Sequence, residues 1–354
     1  MRQTDRMSIK QGVSLAETDI LSPDQLRTSR LLSLTTVDEL YDFVQLFPAE
    51  AESLFGDVDL TEVGTRSAQL STGSSVADME EVERTLVQVS QGFGALPPVG
   101  IAAEVVAALA SDTLDHLALD PPEDAPRVNL TGFGPIRNQG ERGTCVAHAV
   151  CAIYEYTSGQ PDTGRDLSEQ FLYWLCKVND GAPNAEGTWI RVAAPLSIQY
   201  GICPENVWPY NPGKTAQESQ GPPPPNAVKD ASARRVTAAS AHDPMWVAAI
   251  CSELDAGRPV AISVPMFPNR ILAQNTGDFP MPLPGTVPKG GHAMCVVGYG
   301  FDDGFLGGGY LILRNSWGTE WGTNSPFGPG HGTLPFGYVQ QFAWEAWTVS
   351  GPIR

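Results

Sequence analysis

The chain has 354 residues, 42% of them hydrophobic, which is enough to bury one or two hydrophobic cores. Its formal net charge of −18 excludes nucleic acid and anionic membranes as general partners, because both attract basic surfaces. No apolar stretch is long enough to span a bilayer, and the longest candidate, residues 99–110, includes Glu104. The first residues lack the apolar core of a secretory signal, so the sequence predicts a cytoplasmic protein.

The acidic residues are distributed unevenly along the chain. Residues 1–126 hold 22 acidic and 7 basic side chains, whereas residues 127–354 hold 18 and 15. Between them, residues 119–127 read LDPPEDAPR, an acidic and proline-rich stretch that suits neither helix nor sheet. We therefore predict two units, residues 1–126 and 127–354, joined by an accessible connector.

The N-terminal unit is predicted to be mostly helical. The stretch VDELYDFVQLF (37–47) places its apolar side chains on one helical face, and Pro48 follows it. The other predicted elements of this unit are a polar linker at 65–79, a helix at 80–94 that ends at Gly92 or Gly94, and a helix at 101–116.

In the C-terminal unit, helices are predicted first and strands follow. The helices are CVAHAVCAIYEY, LSEQFLYWLCKV with Ser168 as its N-cap, and WIRVAAPLSIQYG, which ends at Gly201. The strands are PVAISVPMF, AMCVVGYG, GYLILRN and EAWTVSG, separated by glycine-rich turns. This order predicts an α+β fold with a helical lobe and a β-rich lobe.

The stretch QGERGTCVAH (139–148) places Cys145 at the start of an apolar helix. The N–H groups and the dipole of a helix N-terminus stabilise a thiolate. Gly140 and Gly143 allow the backbone to turn sharply into that helix. We therefore predict that Cys145 is a nucleophile whose pKa is lowered by the helix N-terminus and by a protonated His292.

Other side chains provide the remaining groups that a thiol nucleophile needs. His292 lies at the start of a predicted strand and Asn315 at the end of the next, so the two can meet at neighbouring strand ends. The amide oxygen of Asn315 can hold the imidazole in one tautomer, and Trp317 can shield that hydrogen bond from water. Gln139 offers an N–H donor which, with the backbone N–H of Cys145, can bind the oxyanion of a tetrahedral intermediate.

From about residue 128 onward, the chain resembles the papain-like cysteine peptidases. The matching pieces, in the order of that family, are GPIRNQGERGTCVAHA, LSEQFLYWLC, YGICPENVWPY, GGHAMCVVGYG and LRNSWGTEWG. The resemblance implies a two-lobe fold with the site in the cleft between the lobes. It implies peptide-bond hydrolysis through a thioester, with no metal and no organic cofactor. The implied roles are nucleophile for Cys145, base for His292, orienting residue for Asn315 and oxyanion donor for Gln139.

The resemblance also implies where a peptide or protein substrate binds. The stretch AEGTW falls where the family has glycines that pair with the substrate backbone, which assigns this role to Gly187 and Thr188. From the residues alone, Gly290 and Gly291 are turn residues, or they keep the cleft open beside His292, or both, and Trp317 is expected to line the cleft. The loop at 267–291 is either a surface excursion or a border of this groove.

The cysteines are predicted to be free thiols rather than disulfides. No C-x-x-C pair occurs, and Arg142 stands where the family usually has a cysteine, which agrees with a reducing compartment. A zinc site built from CVAH and HAMC is disfavoured, because residues three apart on a strand point to opposite faces. His148 lies on the same helix as Cys145, but His292 has the better context for the base.

Alternative functions remain open at the level of sequence. The same fold could carry an acyl transferase or peptide-maturation enzyme, or an inactive peptidase scaffold that acts as a binding protein. Residues 1–126 are expected to be a prodomain that lays chain across the cleft and makes the protein an autoinhibited zymogen, or else an adaptor module. A prodomain would be held by apolar faces, with side chains such as Leu40, Phe43, Val44 and Phe47.

Overall fold

A computed structural model describes residues 12–56, 63, 92–98, 128–132, 134–157, 166–216, 218 and 220–350. The predicted linker at 65–79, the predicted helix at 101–116, the connector at 119–127 and most of the predicted helix at 80–94 lie outside these residues. In the described part of the chain, no helix is long and apolar enough to cross a membrane.

The N-terminal residues form a small helical unit with its own core. After a short 3₁₀ turn (Leu15–Glu17) come helices α1 (Pro23–Leu31), α2 (Val37–Leu46) and α3 (Pro48–Phe55). Helix α2 lies where the apolar pattern predicts it, and a reciprocal capping box between Thr36 and Glu39 fixes its start. Its buried face packs with Leu283 from the C-terminal unit in one apolar cluster, so the helical unit is docked rather than free.

The helical lobe contains the three helices predicted for it. They are α4 (Cys145–Thr157), α5 (Glu169–Asn179) and α6 (Ile190–Tyr200), and the short α7 (Ala227–Ser232) packs in the same core. The next helix, α8 (Val247–Asp255), packs in the core of the second lobe instead. The hydroxyl of Ser168 accepts the N–H of Phe171 at 3.0 Å, which is the predicted cap. Helix α6 ends at Gly201, whose φ of 75° suits glycine.

The second lobe is built on one antiparallel sheet. The strands are β1 (Val128–Asn129), β2 (Ala238–His242), β3 (Val260–Met266), β4 (Gly290–Gly300), β5 (Tyr310–Arg314), β6 (His331–Pro335) and β7 (Glu345–Ser350). They follow the order β2-β7-β3-β4-β5-β6, and β1 pairs with β4. Three of the strands, β1, β2 and β6, have no counterpart among the predicted elements.

Three short helices accompany the sheet, and the packing of the two lobes positions the cleft. The short helices are a 3₁₀ turn (Pro268–Leu272), α9 (Ala273–Thr276) and α10 (Phe336–Phe342). Helix α4 packs against β3 and β4, so Cys145 at its first turn lies beside the start of β4, where His292 is. The predicted α+β fold with two lobes and a helical N-terminal region is confirmed.

The helix predicted at 80–94 lies mostly outside the described residues, and residues 92–98 themselves are not helical. A helix end at Gly92 therefore stays a prediction, whereas an end at Gly94 is wrong. The backbone groups of residues 92–98 bond across to both walls of the cleft instead of to each other. We call residues 92–98 the covering segment.

Candidate active site

The thiol of Cys145 is buried at the N-terminus of α4. Burial raises its pKa to about 11, and the backbone N–H groups of Ala293, Gly94, Val146 and Ala95 oppose this by bonding toward the sulfur. Ala293 follows His292 in β4, so the contact brings the thiol and the imidazole to the same point in the cleft. Gly94 and Ala95 belong to the covering segment, which therefore lies directly over the thiol.

His292 is held by the two residues predicted to accompany it. Its Nε2 lies 2.8 Å from the Oδ1 of Asn315. That oxygen also accepts the N–H of Ser316 at 2.8 Å, which identifies it as an acceptor and places the imidazole proton on Nε2. The ring of Trp317 stacks on the imidazole at 4.4 Å between centroids and 23° between planes, so it covers this hydrogen bond.

Gln139 is fully buried and its amide is fixed at both ends. The hydroxyl of Ser316 donates to its Oε1 at 2.6 Å, which aims the Nε2 toward the cleft. The Nε2 donates to the carbonyl of Arg142 at 2.7 Å and to that of Gly92 at 2.8 Å. The predicted oxyanion donor is therefore already bonded to a carbonyl group of the covering segment.

The predicted substrate-binding backbone also meets the covering segment. Thr188 donates its N–H to the carbonyl of Gly94 at 2.8 Å and accepts the N–H of Leu96 at 3.0 Å. On the opposite wall, the carbonyl of Gly291 accepts the N–H of Ala95 at 3.0 Å. Gly187 lies so close to the carbonyl of Gly94 that a Cβ there would be only 2.6 Å from that oxygen. An extended chain thus fills the groove between the two lobes.

Side chains of the covering segment add contacts at each end of the groove. The ring of Phe93 meets His292 and Trp317 edge-on, at 6.5 and 6.4 Å between centroids. The guanidinium of Arg270 lies 4.7 Å from the centre of the same ring. At the other end, the indole N–H of Trp189 donates to the carbonyl of Pro97 at 2.9 Å.

This covered site does not have the electrostatics that the sequence predicts. Burial lowers the pKa of His292 to about 4, although its bond to Asn315 partly opposes this. With the pKa of Cys145 raised to about 11, a neutral thiol faces a neutral imidazole at pH 7. The predicted lowering of the thiol pKa is thus wrong for the covered state, because burial of the thiol outweighs the backbone N–H groups that oppose it.

A comparison with known proteins identifies the family. The pattern of the family described as Papain family cysteine protease matches residues 123–328. The chain belongs to this family. Among curated relatives, it is 25% identical over 227 residues to an uncharacterized peptidase C1-like protein of Acanthamoeba polyphaga mimivirus, covering 60% of this chain and 68% of that protein. It is 30% identical over 194 residues to chymopapain of Carica papaya, covering 53% of this chain and 49% of chymopapain.

The fold likeness extends to a solved bacterial structure. The structure of xylellain, a cysteine protease from Xylella fastidiosa, superposes with a TM-score of 0.57 at 24% identity. The superposition covers 74% of this chain and 97% of xylellain. The interpretation of the chain as a papain-like cysteine peptidase, and hence a hydrolase, is confirmed.

Two residues that depart from the usual papain-family pattern have structural roles here. His148 bonds through Nδ1 to the carbonyl of Thr144 at 3.0 Å, and burial lowers its pKa to about 3, so it is poorly placed to act as the base. Arg142, in place of a family cysteine, lies 4.7 Å from the centre of the Tyr210 ring and donates to Gln220 at 2.8 Å. Through these contacts Arg142 holds the loop that contains Tyr210 and Gln220, as a disulfide bond could.

The described residues contain several buried cysteines but no cluster of metal-binding side chains. Five cysteines are buried free thiols, namely Cys145, Cys151, Cys176, Cys203 and Cys295. No group of three or more His, Cys, Asp or Glu side chains in the described residues could hold a metal ion.

Sequence reasoning missed several residues of this papain-family site. Phe93 and Arg270 were not singled out, and Ser316 was not recognised as the residue that orients Gln139. The run GFGALPP (92–98) did carry a signal, since small residues and prolines suit an extended chain in a narrow groove. No local pattern could show that this run meets residues about 200 positions away.

Proposed function

We propose that Cys145 and His292 hydrolyse peptide bonds, with Asn315 orienting the imidazole and Gln139 donating to the oxyanion. The observation that carries this proposal is the fixed geometry around His292. Its Nε2 is bonded to Asn315, so the unprotonated Nδ1 is the free base of the ring, and it has no hydrogen-bond partner among the described residues. A base in this form can take the thiol proton.

The reaction then follows the chemistry of a thiol nucleophile. The sulfur of Cys145 attacks the substrate carbonyl while His292 takes the thiol proton, and the oxyanion is bound by the amide of Gln139 and the N–H of Cys145. Collapse of the intermediate breaks the C–N bond, and His292 passes the proton to the leaving amine. His292 next activates a water that hydrolyses the thioester and restores the thiol.

We further propose that residues 1–126 act as an inhibitory prodomain of the unit at 127–354, so that the full chain is a zymogen. The covering segment supports this because it occupies the cleft unproductively. It offers the carbonyl of Gly92 to Gln139, yet the atoms that face the sulfur are the amide groups of Gly94 and Ala95. The carbonyl at the oxyanion donor is therefore two residues away from the backbone at the nucleophile, and no single peptide bond meets both.

The docking of the N-terminal helices supports the same proposal. Leu40 and Phe43 of α2 are fully buried in a cluster that includes Leu283 of the catalytic unit. The backbone also joins the two parts, since the N–H of Met281 donates to the carbonyl of Leu32 at 3.3 Å. The loop around these residues is the proposed anchor of the prodomain, and the contacts named here are an apolar cluster and a backbone hydrogen bond.

The buried free thiols support a reducing compartment for the protein, consistent with a cytoplasmic location. Fractionation of the host cells, read with antibodies against the chain, tests this location. Recovery of the protein only from the extracellular medium would contradict it.

Limited proteolysis of the full-length protein tests the enzyme and the prodomain together. A fluorogenic peptide is offered before and after thermolysin nicks the chain, with Cys145→Ala treated in parallel. We expect hydrolysis to rise at least tenfold on nicking in the wild type and to stay at background in Cys145→Ala. Equal activity before and after removal of residues 1–126 would instead favour the adaptor role.

A further inference from the structure

The ring of Phe93 lies in a site made by four residues of the β-rich lobe. Trp317 and His292 meet the ring edge-on, and Arg270 lies 4.7 Å from its centre. Gly290 forms the fourth side, where a Cβ would be 2.9 Å from the Cβ of Phe93. Edge-on rings and a cation over a face are the arrangements that attract an aromatic ring beyond its apolar area.

Arg270 is available for this role because its charge, which also interacts with Tyr338, is not neutralised by a carboxylate within the described residues. No ion pair of Arg270 with a carboxylate occurs there, and its Nε has no hydrogen-bond partner. A half-buried guanidinium without a carboxylate partner gains most from a polarisable ring face. The ring of Phe93 supplies that face while the covering segment is in place.

The position of this site relative to the nucleophile defines which part of a substrate enters it. His292 must protonate the leaving amine, so the leaving part of the substrate lies on the His292 and Trp317 side of Cys145. The ring site is bounded by those same two side chains. The opposite end of the groove is the wall of Thr188 and Trp189, where backbone contacts dominate.

We propose that Arg270 and Gly290 make the subsite beside Trp317, on the leaving-group side of the scissile bond, selective for an aromatic side chain of the substrate. This inference rests on the proposed function, because it takes His292 as the acid that protonates the leaving amine. Arg270 and Gly290 determine the preference: the first favours a π face over an alkyl group of equal shape, and the second leaves room for the ring. Phe93 fills the subsite in the covered protein.

A binding experiment tests the subsite without requiring catalysis. The full chain carries Cys145→Ala to prevent hydrolysis and Phe93→Ala to vacate the subsite. The probes are the amides Phe-Ala-NH₂ and cyclohexylalanine-Ala-NH₂, which have the same shape but differ in their π system, and Glu-Ala-NH₂ as an acidic probe. Dissociation constants are compared with those after adding Arg270→Met, Gly290→Ala or, as a matched control, Arg258→Met, whose partner Glu253 lies elsewhere.

The informative quantity is the ratio of the phenylalanine to the cyclohexylalanine affinity. We expect Arg270→Met to lower this ratio about two- to fivefold, as a cation over a ring requires, and Arg258→Met to leave it unchanged. Gly290→Ala should weaken the phenylalanine probe. The subsite is refuted if Arg270→Met leaves the ratio intact, or if the acidic probe binds more tightly than the phenylalanine probe.

A second measurement separates this inference from the proposed function. Nicked full-length protein is given peptides with Phe, cyclohexylalanine or Ala directly after the scissile bond, and kcat/KM is measured for each. Hydrolysis of all three without a preference for Phe would overturn the subsite and leave the peptidase intact. Binding of the phenylalanine probe with the expected Arg270 dependence, but no hydrolysis of any peptide, would support the subsite and contradict the proposed catalytic roles.

Discussion

The two walls of the cleft hold the covering segment in different ways. On the helical lobe, Gln139 and Thr188 bond to backbone groups, which every peptide has. On the β-rich lobe, Gly291 makes one backbone bond, but Arg270 and Trp317 surround the side chain of Phe93. The first wall can therefore hold any extended chain, whereas the second distinguishes between side chains.

This difference shows how one groove can serve both restraint and catalysis. Backbone bonding on the helical lobe suits a substrate as well as it suits the covering segment, so it cannot by itself decide which one is bound. Release of the segment depends on close-packed positions such as Gly94 and on the docking of the N-terminal helices. Amino-acid substitutions at these positions should therefore affect restraint and catalysis to different extents.

The largest expected effect is on the helical-lobe wall at Gln139. Gln139→Ala, measured after nicking, should reduce kcat by about 10²–10³-fold, because one donor to the oxyanion is lost. Steady-state kinetics on a fluorogenic peptide gives this value. The matched control is Gln199→Ala, since Gln199 is exposed on α6 and, within the described residues, its side chain bonds to Tyr200 alone. A fully active Gln139→Ala would disprove the oxyanion assignment.

A smaller and opposite effect is expected at Gly94. Its Cβ would overlap the backbone carbonyl of Gly143, so Gly94→Ala should push the covering segment out of the groove. Overpacking of this kind costs about 1–3 kcal/mol, which corresponds to an activity of the uncut chain about 5- to 150-fold above wild type. Initial rates of peptide hydrolysis measure it.

The control for Gly94 is Gly132→Ala, because no atom lies within 4 Å of a Cβ at Gly132. This variant should hydrolyse the peptide as slowly as the uncut wild type. If Gly94→Ala is equally slow, while both proteins respond to nicking, the covering segment does not limit access to the cleft.

The smallest effect is expected where a single exposed bond is lost. Trp189→Phe removes the indole N–H that donates to Pro97, at the edge of the groove. Loss of one such hydrogen bond should raise the activity of the uncut chain about two- to fivefold. Trp246→Phe is the control, since Trp246 is 62% exposed on another surface. A larger increase in the activity of the uncut chain than that caused by Gly94→Ala would contradict the order of effects that we derive from the contacts.

Local signals in the sequence predicted much of the fold. The cap at Ser168, the stop at Gly201 and the apolar face of α2 each depend on a few adjacent residues, and the structure agrees with all three. Strand β6 (HGTLP) carries no such pattern, because pairing with β5 stabilises it. Gly94 misled the prediction, since a glycine can end a helix or line a narrow groove.

The candidate site could be predicted in part for a related reason. The sequence places Cys145 at a helix start and Asn315 after a strand, and the structure brings Asn315 and His292 within hydrogen-bond distance. The raised pKa of Cys145 could not be foreseen, because it comes from burial of the thiol in the folded chain, which the residues next to it in sequence do not show. Long-range burial has no local signature.

The most direct test of the central claim is the reactivity of the Cys145 thiol against pH. Iodoacetamide alkylation is followed by peptide mapping in uncut wild type and in Gly94→Ala, with the half-buried Cys251 as an internal reference. Because only the thiolate reacts and burial raises the pKa of Cys145 to about 11, we predict slow alkylation of the wild type that increases only toward that pH. Gly94→Ala should react faster, with its rise shifted to lower pH. Equal and rapid alkylation of Cys145 in both proteins at pH 7 would contradict the claim that residues 92–98 cover the nucleophile.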